Sequence, residues 1–136
     1  MRARRTILLV GVGVVLCDLA IFCFPNPPVI QFMHHDQRYF KDFARACDSL
    51  LQRHPLGTND YIRIPGDEPS LPPIIRNLRY GVDRVTISSN RVHVVVPAPW
   101  HGFGIAWEPQ TETDTNVWAL TTWNESALRV AYVERR

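Results

Sequence analysis

The chain has 136 residues, 46% of them apolar and 21% charged, with 15 Lys+Arg against 13 Asp+Glu for a net charge of +2. That length holds one domain, and the balance excludes both a disordered chain and a strongly basic nucleic-acid binder. Arg2, Arg4 and Arg5 stand at the extreme N-terminus, and from Phe24 onward 12 basic groups meet 12 acidic ones, so the body offers a polyanion no cationic surface.

Residues 1–5 form a basic tail, and residues 6–24 read TILLVGVGVVLCDLAIFCF, with Asp18 as the one charge. As a helix this stretch is about 28 Å long, close to the thickness of a bilayer core. The far side carries no Lys or Arg before Arg38. This asymmetry predicts a single-pass signal-anchor in the inner (plasma) membrane, with the N-terminus cytoplasmic and the body periplasmic or extracellular. A cleaved signal peptide would need small residues at the cleavage site, and no A-x-A pattern occurs. A lipoprotein signal would place a small residue before Cys17, where Leu16 stands. Asp18 would lie about 9 Å from the outer boundary. A carboxylate there is either a contact for a partner helix or polarity tolerated near the interface.

Residues 25–35 read as a linker. Its apolar Val29, Ile30, Phe32 and Met33 are expected to lie at the membrane surface or to pack on the domain. Residues 36–136 form the extracytoplasmic domain. Phe40, Phe43, Cys47, Leu50 and His54 recur at steps of three and four, the stripe of an amphipathic helix with Asp36 as its N-cap. Pro55 and Gly57 end it. A loop-rich stretch follows, with Tyr61–Ile64 as a short edge strand and a short helix over IIRNL. The remainder predicts strands at 85–87, 92–96, 103–107, 117–123 and 128–133, joined by connections short enough to make antiparallel neighbours.

Alternation gathers Val85, Ile87, Val92, Val94, Val96, Phe103, Ile105, Trp107, Trp118, Leu120, Leu128, Val130 and Tyr132 on one face. The helix stripe is the natural cover for that face. The expected fold is therefore α+β, a two-layer domain with an amphipathic helix on an antiparallel meander of four to five strands. The other face is expected to collect Arg84, Thr86, Arg91, His93, Ala106, Thr121 and Arg129. The layout resembles that of type IV pilins in architecture alone. RTILLVGV has neither the Gly-Phe-type processing site nor the glutamate of those proteins, and Pro25–Pro28 interrupt the long helix they use.

Chemical motifs are sparse. Cys47 stands alone in the domain on an apolar stripe, which reads as a small buried hydrophobe. The five histidines lack the spacings by which one helix or strand presents two metal ligands. Asp67-Glu68 in a Pro/Gly loop read as solvated turn residues. HGFG at 101–104 precedes a strand, so it lacks the context of a phosphate loop. No cofactor or metal is implied. Candidate partner contacts are Asp18 in the membrane segment, Arg84, Arg91, His93 and Arg129 on the open sheet face, and Trp100 and His101 at a loop. The expected function is a membrane-anchored interaction or accessory subunit whose partners are the bilayer and another membrane or envelope protein, with no nucleic acid. The alternatives are a small envelope hydrolase with dispersed His and carboxylate groups, or a ligand-binding or immunity-type module.

Overall fold

A computed structural model describes residues 27–97, 103–124 and 127–136. Among these residues there are three helices, α1 (Pro27–Met33), α2 (Gln37–Arg53) and α3 (Pro73–Arg76), and six strands, β1 (Tyr61–Pro65), β2 (Arg84–Ser88), β3 (Arg91–Val96), β4 (Phe103–Pro109), β5 (Val117–Asn124) and β6 (Ala127–Arg135). The strands form one antiparallel sheet in the order β1-β2-β3-β4-β5-β6. The fold is α+β, and the short edge strand at Tyr61 brings the sheet to six strands.

The helix α2 starts where its cap chemistry puts it. The Asp36 carboxylate accepts a hydrogen bond from the Tyr39 N–H at 2.8 Å, satisfying one of the donors left free in the first turn. At the other end the His54 N–H donates to the Leu50 carbonyl, and Pro55 cannot extend the ladder. Phe40, Phe43, Ala44, Cys47 and Leu50 are buried, so the stripe spaced by three and four is the face that meets the sheet.

The stretch read as a linker carries a helix. Proline is tolerated in a first turn, because the missing N–H would have no partner there. Val29 and Phe32 lie in the core, with the Phe32 ring 5.4 Å from Phe40 and 5.3 Å from Phe43. Leu71 and Ile75 of the segment around α3 belong to the same buried core.

Beneath the helices the covered sheet face runs Val85, Ile87, Val92, Val94, Val96, Phe103, Ile105, Trp107, Trp118 and Leu120, all buried. Ile62 and Ile64 extend it through their pairing with Ile87 and Val85. The expected alternation fails only on β6. Leu120 pairs with Tyr132, but the next residue, Thr121, pairs with Val130. Ala131 is passed over, so the strand carries a bulge. Tyr132 keeps its place against the core and Ala131 joins it. Leu128 and Val130 move to the opposite face and stand exposed at 67% and 47%. Arg129, expected on that opposite face, pairs instead with Thr122 of the covered face, which is fully buried.

This register makes a stability test. Val94→Asp buries a carboxylate with no partner and should unfold the domain, since such burial costs several kcal/mol against a total of about 5–15 kcal/mol. Val130→Asp should fold, with a change of less than about 1 kcal/mol in a thermal or urea melt. An unfolded Val130→Asp would return this residue to the covered face.

Candidate contact surface

The open face of the sheet divides into a polar part and an apolar part. On the polar side, Thr86 of β2 pairs with His93 of β3, and His93 pairs with Ala106 of β4. The Arg91 Nε lies 3.4 Å from Glu108 Oε2, its terminal nitrogen lies 3.6 Å from Glu112, and His93 Nε2 lies 3.5 Å from the same Glu108 oxygen. The Glu108 carboxyl is held below the ordinary glutamate range, first by its hydrogen bond with His93 and then by the charges of His93 and Arg91, against the opposing effect of burial. Arg84 lies at the other end of β2 from this cluster, ion-paired with its neighbour Asp83 at 2.5 Å. Of the three arginines expected to line this face, Arg84 and Arg91 are there, each beside an acidic partner, and Arg129 is not. The Arg84 and Arg91 charges are thus compensated, which leaves these two positions little free cationic character.

The apolar part belongs to β4, β5 and β6. A Cβ on Gly104 would collide with the Trp123 ring, so the glycine makes room for that indole against β4. The ring then sits 5.3 Å from His93. Across the β5–β6 ladder Trp123 pairs with Leu128, Thr121 with Val130 and Ala119 with Val133. Ala106, Ala119 and Thr121 are buried, although no helix among the described residues covers this side. Leu128, Val130 and Val133 stand beside them, exposed. A one-sided antiparallel sheet ordinarily presents polar groups to water. Here three large aliphatic side chains stand together on one edge strand, which is the pattern of a contact surface.

The far end of β6 is fixed. The Trp107 indole N–H donates to Asp48 of α2 at 2.8 Å. The Arg136 guanidinium pairs with the same carboxylate and lies 4.1 Å over the Trp118 ring. The Arg136 N–H donates to the Asn116 carbonyl. Sequence periodicity places Asp48 off the apolar stripe of α2, and its two partners, Trp107 and Arg136, are distant in sequence.

Asp18, Trp100 and His101 lie outside the described residues. Among those described, no group of three His, Cys, Asp or Glu could hold a metal ion. Beside α1 lie a small pocket of about 40 Å³ lined by Phe32, Val96 and Phe103 and a wider surface depression of about 490 Å³ lined by Ile30, Gln31, His34, His35 and Arg79. A scan against protein-family models matched no family, and searches of curated proteins and of solved structures gave no match.

Cys47 is fully buried, and burial, followed by the charge of Asp48, pushes its thiol well above the ordinary range. The reactive thiolate is thereby suppressed. Alkylation of the native chain at neutral pH should leave the Cys47 peptide unmodified by mass spectrometry and label it only after denaturation. Cys47→Ala should cost about 1 kcal/mol from lost packing. Fast labelling of Cys47 in the folded chain would contradict this assignment.

Glu108 gives a pH dependence. Its folded-state pKa is depressed, so the unfolded chain binds more protons near the ordinary glutamate value. The stabilisation is complete above the unfolded pKa of about 4.3 and is lost as pH falls through the folded value. Exposure keeps the effect below about 1 kcal/mol. Glu108→Gln should therefore be slightly less stable than the parent at neutral pH and equal to it in acid, by urea midpoints. A difference that widens in acid would reverse the sign argued here.

Proposed function

We propose that this chain is a single-pass membrane protein whose extracytoplasmic α+β domain works by contact, as an accessory or assembly subunit of a bacterial envelope, with another membrane or envelope protein as its partner. The observation that carries the reading is the exposed aliphatic group of β6. Leu128, Val130 and Val133 stand exposed on the open side of the sheet, apart from the ion pairs that Arg84, Arg91 and Glu108 form on β2, β3 and β4 of that side. Leaving them in water costs free energy that a partner's surface recovers.

Anchorage rests on the sequence. Among the described residues no helix is long and apolar enough to cross a membrane, and the apolar stretch 6–24 lies outside them. The basic residues Arg2, Arg4 and Arg5 before that stretch support a cytoplasmic N-terminus. On this reading α1 begins a few residues after the membrane exit.

Two measurements test the proposal on the full chain. A reporter fused after Arg136 should be active only outside the cytoplasm. Affinity capture from detergent extracts should yield a companion that is lost with Val130→Asp and kept with Thr86→Asp, which alters the same face at the other end of the sheet. Cytoplasmic reporter activity would overturn the topology. A companion set indifferent to Val130→Asp would overturn the contact role of β6.

A further inference from the structure

An open six-stranded sheet has two edge strands, and here they differ. β1 has five residues, YIRIP. It is short and carries Arg63 and Pro65, features that discourage pairing with another strand. β6 has nine residues, ALRVAYVER, and among the described residues no strand pairs with its outer side. Such an edge presents a row of unpaired backbone donors and acceptors.

We propose that β6 pairs antiparallel with β6 of a second copy of this chain, about a two-fold axis passing between Ala131 and Tyr132. The inference goes beyond the contact role of the open face, since pairing along the edge leaves that face uncovered. In this register Ala131 stands opposite the partner's Tyr132, Val130 opposite the partner's Val133, Arg129 opposite the partner's Glu134, and Leu128 opposite the partner's Arg135.

Two observations select the register. The first is face matching. Residues opposite each other in an antiparallel ladder share a face. Val130 and Val133 both lie on the open face, because their β5 partners are Thr121 and Ala119. Arg129 and Glu134 both lie on the covered side, through Thr122 and Trp118. Ala131 and Tyr132 both pack toward the core. Every pair therefore agrees. In a regular strand they would not, since residues an odd number of positions apart point to opposite faces. The bulge at Ala131 supplies the one-residue offset that lets this odd register close on itself.

The second observation is charge. The register places Arg129 against Glu134 twice, once on each side of the axis, and places no two like charges opposite each other. Opposite-charge pairs across a ladder stabilise it and like charges weaken it. Closure by a two-fold axis also produces a dimer with no further free β6 edge, so the assembly stops at two. The two Val130–Val133 pairs then join into one continuous apolar band across the open face, twice the size of that on a single chain.

The test is a charge exchange on the full chain in detergent micelles, with mass followed by sedimentation and folding by circular dichroism. The parent chain should dimerise. Arg129→Glu and Glu134→Arg each place like charges opposite each other twice and should weaken the dimer at least about tenfold. The double variant Arg129→Glu/Glu134→Arg restores both pairs and should restore the dimer. Arg129 is exposed and Glu134 partly so, so all three variants should keep the parent's folded signal. A parent chain that stays monomeric at about 100 µM would overturn the proposal. So would single variants that dimerise like the parent, or a double variant that stays weak. A monomeric chain that still loses its companion with Val130→Asp sinks the second copy alone. A monomeric chain without a companion sinks both readings.

Discussion

Side chains on a strand alternate between two faces, and in this protein the helices lie on one of those faces. Each strand must therefore keep its apolar residues in step with that side or expose them to water. β2 and β3 do this with strict alternation, and β4 has enough small and apolar residues to be buried on both sides. β6 stays in step for only half its length. Ala131 absorbs one residue, so Tyr132 reaches the core while Leu128 and Val130 turn out. A small residue suits that role because two consecutive side chains then crowd the same side. The aliphatic group on the open face and the free edge beside it both follow from this single offset.

A strand with an offset in its middle needs its ends held, and the packing provides this. Asp48 of α2 takes the Trp107 N–H from β4 and the Arg136 guanidinium from the chain end. Arg136 also covers Trp118 of β5. One carboxylate on a helix thus ties together the centre of the sheet and the residue that follows β6. Charge-assisted bonds of this kind are short and directional, which fixes orientation as well as distance. The edge of β6 is consequently presented by a braced strand, and less ordering cost remains to be met when something pairs with it.

Much of this architecture is legible in the sequence. The steps of three and four from Phe40 to Leu50 place α2, and the Asp36 cap falls where composition puts it. Alternation places β2 and β3 with their faces. The misses have physical causes. Pro27-Pro28 reads as a helix stop, yet prolines are equally at home in the first turn of a new helix, and the next turn supplies Val29 and Phe32 to the core. On β6, alternation within the strand makes Leu128, Val130 and Tyr132 equivalent. The turn before it carries different information. Trp123 lies three residues beyond the covered Leu120, hence on the open side, and the short connection 124–127 sets Leu128 opposite it. The turn thus assigns Leu128 outward and the pattern assigns Tyr132 inward. Those two assignments are compatible only with an extra residue between them, so the conflict itself marks the bulge. Gly104 had a similar signal, since a glycine within a strand invites a large side chain from its neighbour to lie on it.

A bulge on an edge strand ordinarily turns the strand away from further pairing. That protection assumes a regular strand as the incoming partner, one that cannot match the offset. A second copy of the same strand is the exception, because it carries the same offset at the same residue. With the axis between Ala131 and Tyr132, the irregularities lie on either side of the centre and shift both ladders by the same amount in opposite directions. The faces then agree along the whole pairing, from Leu128 to Arg135. The device that makes this edge a poor template for an unrelated strand is thus the same one that makes it complementary to itself. Arg129 and Glu134, set five residues apart on one side of the bulged strand, add the charge pattern that a self-pairing edge needs and that a merely solvated edge does not.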